Sequence, residues 1–132
     1  MTLLLALAIA IQTGAAAPEG FADAVLDGRA SAVQALIAKG ANVNQADDTG
    51  MTPLMTAAAQ GHVAVARLLI AAGANVNATD RDAITALMRA AASNRTESVT
   101  LLLSSGADPN LRTRDGATAL MAAAFGGYAD VV

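Results

Sequence analysis

Gly40-Ala41-Asn42-Val43-Asn44 recurs as Gly73-Ala74-Asn75-Val76-Asn77 and again as Gly106-Ala107-Asp108-Pro109-Asn110, each time 33 residues further on. Thr52-Pro53-Leu54-Met55 returns at the same interval, as Thr85-Ala86-Leu87-Met88 and Thr118-Ala119-Leu120-Met121. The blocks keep one register without an insertion. A fixed period of this length is the signature of a chain built from stacked supersecondary units.

Each unit reads as a pair of helices. Pro53 follows Thr52 and suits the first helical position, where its missing N–H would be unpaired anyway. That helix runs through Leu54, Ala57 and Ala58 and stops near Gly61. A second helix, about Val63 to Ala72, sets Val65, Leu68 and Leu69 on one face. Gly73 ends it in the left-handed conformation that glycine adopts easily. Asn75 to Thr79 then leads through Asp80-Arg81-Asp82-Ala83, which is turn chemistry, into the next copy. Such a unit cannot bury its apolar face alone, so neighbouring copies must stack.

Composition narrows the function. The net charge is −3, with acids and bases interspersed, which leaves no basic footprint for nucleic acid. Hydrophobic residues make up 55% of the chain but aromatics only 2%, and alanine fills the difference. Such an interior suits helices packed backbone to backbone and gives a ligand pocket no aromatic walls. The absence of cysteine excludes disulfides, thiolate catalysis and cysteine-bound zinc.

Residues 1–17 are a different kind of segment. Leu3 to Ile11 is unbroken and apolar, and Gln12-Thr13-Gly14, then Ala15-Ala16-Ala17 and Pro18 follow. An apolar core running into small residues has the shape of a secretory signal, with cleavage expected after Ala15 or Ala16. It falls short of the ~20 apolar residues a stable membrane span needs. The expectation is export, to the periplasm or outside the cell. The alternative is an N-terminal helix lying on the stack or an uncleaved anchor, with a cytoplasmic location if the segment is not a signal.

The succession of Asp47, Gly50, Thr52-Pro53-Leu54, Ala57-Ala58, Gly61-His62, Leu68-Leu69 and Gly73-Ala74-Asn75-Val76-Asn77 resembles the ankyrin repeat. The likeness covers residues 20 to 132. It implies an all-α fold, a solenoid of stacked helix–turn–helix units with β-hairpin loops. In that register residues 18–46 form an N-terminal capping half-repeat, with helices inside Phe21 to Ala46. Full copies occupy 47–79 and 80–112, and a truncated copy 113–132. The last copy stops where its second helix should begin, so the apolar face of Leu101, Leu102 and Leu103 is expected to want cover. A longer natural chain or a partner would supply it; a frayed tail is the alternative.

Candidate chemistry is sparse. The only histidine, His62, lies in the turn between helices, with Arg95 and Tyr128 at the equivalent positions, and reads as a turn and packing residue. Met55, Met88 and Met121 form a ladder of thioethers. Equivalent positions in stacked helices lie roughly 10 Å apart, too far for three sulfurs to share one ion, so no metal is expected. Ankyrin-like repeats usually carry histidine there, and methionine would trade a turn hydrogen bond for adaptable packing. Asp47-Asp48, Asp80 with Asp82, and Asp115 sit between copies, where aspartate bonds local backbone. Nothing pairs a nucleophile with a base, and no cofactor is expected.

What remains is surface. The resemblance implies that hairpin tips and the first helix of each unit line a concave face that holds partners. The tips map to Asp48, Thr49 and Met51, then Arg81, Asp82 and Ile84, then Arg114, Asp115 and Ala117. The first-helix positions map to Gln60, Ser93 and Phe125. Met51, Ile84 and Phe125, read as exposed beside Arg81 and Arg114, have interface composition. The mixed charges suit a protein better than an anionic polymer. The expectation is a non-enzymatic protein-binding module. The rival is a structural segment of a longer array that scaffolds or protects an enzyme in the same compartment, and an enzyme is the weakest reading.

Overall fold

The computed structural model describes residues 20–125. Seven helices lie in that stretch: α1 (20–27), α2 (Ala30–Ala38), α3 (Pro53–Gln60), α4 (Val63–Ala71), α5 (Ala86–Ala92), α6 (Thr96–Ser104) and α7 (Ala119–Phe125). Residues 1–17, the expected leader, and Tyr128 fall outside it.

The helix starts follow from the repeated threonines. Thr52 Oγ1 accepts the Met55 N–H at 3.3 Å, and Pro53 occupies the first helical position. Thr85 Oγ1 accepts the Met88 N–H at 3.2 Å in the same way. Each methionine answers the contact. Met55 Sδ and Met88 Sδ each accept the N–H of their threonine at 3.4 Å, closing a reciprocal cap. Contrary to the expectation from sequence, methionine therefore keeps a turn hydrogen bond and does not trade it for packing. Its sulfur is a weak acceptor that still reaches the N–H. Both methionines are buried, whereas Met121 is 48% exposed.

The stops are equally local. Gly73 takes φ +99°, and Ala74 sends its N–H back to the Leu69 carbonyl at 2.9 Å, which terminates α4. Between α5 and α6 the left-handed position falls to Asn94 (φ +57°), where the preceding copy has Gly61 (φ +75°).

Stacking produces two layers. The first helices pack in the order α3, α5, α7, and the second helices in the order α2, α4, α6. The first layer is lined with alanine: Ala57, Ala58, Ala90, Ala91 and Ala123 are all buried. With only a methyl group per contact, the backbones come close and dispersion contacts are dense. Leu54, Val65, Leu69 and Leu102 fill the space between layers, each worth about 1.5–3 kcal/mol on burial.

Two features refine the expected picture. The hairpin loops form, closed by Asp47 N–H to Met51 O, Asp80 N–H to Ile84 O and Thr113 N–H to Ala117 O, but no strand lies among the described residues. Each loop is one tight turn, too short for a ladder. The expected shortfall of cover on α6 is also narrower than the sequence implies. Leu101 and Leu102 are buried, because they face α4 and α5, and only Leu103 is exposed. Leu120 is exposed as well, unlike its counterparts Leu54 and Leu87.

Candidate protein-binding face

The tips are built by the side chain that opens each one. Asp47 Oδ1 accepts from Thr49 N–H (2.8 Å), Thr49 Oγ1–H (2.7 Å) and Met51 N–H (3.0 Å). Asp80 Oδ1 accepts from Asp82 N–H (2.8 Å) and Ile84 N–H (3.0 Å). In the third tip Thr113 takes over, with Oγ1 accepting Ala117 N–H at 3.1 Å. Asp47 and Asp80 are thus turn formers, as their positions suggest.

Both carboxyls are held below their usual range. At Asp47 the cause is the Thr49 hydroxyl first, then the N–H donors of Met51 and Thr49. At Asp80 burial pushes the pKa up, and this is outweighed by the N–H groups of Ile84 and Asp82 and by the Arg89 guanidinium. The Asp80 side chain is only 4% exposed and pairs with Arg89 through Oδ2 and a terminal guanidinium nitrogen, while Arg89 Nε lacks a hydrogen-bond partner. Sequence reading missed this pair. Arg89 stands where the neighbouring copies have Thr56 and Ala122, and that departure was the signal for it.

Backbone hydrogen bonds join one tip to the next. Arg81 N–H donates to Thr49 O at 3.2 Å, and Arg114 N–H donates to Asp82 O at 3.1 Å. The approach is so close that a Cβ on Gly50 would lie 3.0 Å from the Asp80 Cα. Below the tips, Asn44 and Asn77 tie copies together: each donates to the carbonyl of the next closing glycine, Gly73 or Gly106. Each also accepts the N–H two residues beyond. His62 and Arg95 reach backward in the same fashion. His62 Nε2 lies 2.8 Å from Leu26 O, and Arg95 Nε–H donates to Ala59 O at 3.1 Å. His62 is a packing and turn residue in this structure.

The expected site residues divide. Asp48, Thr49, Arg81, Asp82, Arg114 and Asp115 are exposed and fall along one joined strip of tips. Gln60 and Ser93 are exposed on the first helices or their ends. Met51 and Ile84 are not exposed as read. They are half-buried and packed against the core, because each follows a turn whose closure folds it inward. Phe125 closes α7, but the 33-residue register aligns it with Ala92 and Ala59, one place away from Ser93 and Gln60; its side chain lies outside the described residues.

Among the described residues no cluster of three His, Asp or Glu could hold a metal ion, and no helix is long and apolar enough to cross a membrane. A stack of two-helix copies joined tip to tip, with an exposed charged strip, defines the class of molecule. The family model for ankyrin repeats (3 copies) matches residues 21–113 and again 80–132. The chain belongs to the ankyrin repeat family. Ankyrin repeats are generic protein–protein interaction modules, and the family is typically non-enzymatic. A search of curated proteins returns no match to the chain.

Proposed function

We propose that this protein is a non-enzymatic adaptor that binds a protein partner along its hairpin tips, with Gln60 and Ser93 extending the contact. The observation that carries the reading is the pair of tip-to-tip hydrogen bonds, Arg81 N–H to Thr49 O and Arg114 N–H to Asp82 O. They fix the tips before any partner arrives, which lowers the ordering cost of binding. Asp48, Arg81, Asp82, Arg114 and Asp115 then present alternating charge in a set order, which favours register and specificity on a protein surface. The leader-like segment 1–17 supports export, and so a periplasmic or extracellular partner.

The test is affinity capture from the native compartment with the wild type and with Arg81→Glu/Arg114→Glu. Both arginines are exposed, so the variant is expected to melt within ~0.5 kcal/mol of the wild type. Loss of the specifically captured protein supports the reading; retention at equal yield overturns this site. Should the stack instead act as a scaffold or protective segment for an enzyme, capture would survive the double variant.

A further inference from the structure

A groove of about 310 Å³ opens between the starts of α4 and α6, with Gly61 and Val63 on one wall and residues 94–98 on the other. It shares no residue with the hairpin tips. Arg95 is anchored across it. Its Nε–H donates to Ala59 O at 3.1 Å, and a Cβ on Gly61 would lie 2.9 Å from the Arg95 Cδ. The terminal guanidinium nitrogens have no partner among the described residues. No side chain caps α6, and the N–H groups of Thr96, Glu97 and Ser98 are likewise without a partner there. A bare helix start behind an arginine is not distinctive, since α2 begins in the same way behind Arg29.

Ser98 sets α6 apart. It is 1% exposed, and its hydroxyl has no hydrogen-bond partner among the described residues. A helical serine commonly bonds the carbonyl of the preceding turn, and this one does not. Ser98 is third in α6, where the Cα–Cβ bond tilts toward the helix N-terminus, so its side chain is aimed at the groove whose wall it forms. One copy earlier the place belongs to Val65, and two copies earlier to Ala32, so the stack needs no hydroxyl there. A buried hydroxyl left unpaired costs stability that valine or alanine would keep. Three backbone N–H groups, one buried hydroxyl and a tethered guanidinium therefore converge on one groove, and every one of them is a donor.

We propose that this groove is a binding site for a carboxylate group. The helix start and Arg95 supply positive potential, and the carboxylate oxygens accept from the N–H groups of α6, the Ser98 hydroxyl and the Arg95 guanidinium. Charge selects a monoanion. Glu97 stands exposed in the first turn of α6 and opposes a second negative charge on the ligand, which disfavours a phosphate dianion. The carboxylate is that of a free small acid or of an acidic residue in a peptide, and the groove reads the same chemistry in both.

The test follows amide chemical shifts of the isotope-labelled full chain by NMR at neutral pH and constant ionic strength. Sodium acetate is one probe and the blocked peptide acetyl-Ala-Glu-Ala-amide the other. Saturable shifts at the Thr96, Glu97 and Ser98 amides are expected with a carboxylate probe, and the tighter of the two assigns the source. The Ala30, Ser31 and Ala32 amides at the start of α2 serve as the internal control and stay unmoved. Ser98→Ala, which copies Ala32, and Arg95→Gln are each expected to weaken binding about tenfold, with circular dichroism confirming that both variants stay folded. Shifts that fail to saturate, or that match those at α2, overturn the proposal. Binding indifferent to both variants overturns it as well, as does tighter binding of inorganic phosphate than of either carboxylate.

Discussion

Asp80 combines three duties in one side chain: it caps its own turn, pairs with Arg89 and sits almost out of solvent. Replacing it with asparagine leaves the half-buried Arg89 guanidinium without its counter-charge, and Asp80→Asn is expected to cost about 1–3 kcal/mol at neutral pH, measured by urea denaturation. The pH dependence follows from the lowered pKa. The folded form binds a proton at Asp80 and Asp47 less readily than the unfolded form does. Their contribution is complete above the ordinary aspartate pKa of about 3.9 and is lost as pH falls through the lowered folded values. The acid limb of a stability profile should accordingly flatten in Asp80→Asn. Ala83 makes the opposite case. It takes φ +63° where the neighbouring tips carry Gly50 and Gly116, so an L side chain occupies a left-handed position. Ala83→Gly should relieve that strain and raise the unfolding free energy by up to about 1 kcal/mol; a loss of stability would show that the Ala83 methyl is favourably packed.

Among the elements, α4 holds both layers together. Leu69 is fully buried between them, and Leu69→Ala is expected to cost about 2–5 kcal/mol by urea denaturation, whereas Leu26→Ala, at a 48% exposed site, should cost far less. The order of elements was legible because each signal is local: Thr-Pro opens a helix, Gly-Ala closes one, and Val-x-x-Leu-Leu marks the buried face. The candidate site was legible only in part. Asp48, Arg81, Asp82, Arg114 and Asp115 read correctly as exposed, since a tip has little to pack against. Met51 and Ile84 did not, because closure of the turn before each folds it inward onto the core, which residue type alone does not reveal. The Asp80–Arg89 pair and the Asn44 and Asn77 clasps escaped because neither is a contact between sequence neighbours. Their partners lie nine residues away across a turn, or 29 to 31 residues away in the next copy.

At the scale of the whole molecule, stability is the sum of copies and of the contacts between neighbours. Those contacts include polar bonds at the tips and at the asparagine clasps, both on exposed loops where nothing else would protect an amide. Native-state hydrogen exchange read by NMR tests the stacking claim most directly, at the N–H groups of Asn75, Arg81, Asp108 and Arg114. Copies locked side by side predict that all four are protected and open together as low concentrations of denaturant loosen the stack. Exchange at unprotected rates at these four amides, while the helices stay protected, would contradict the stack and the preformed strip built on it.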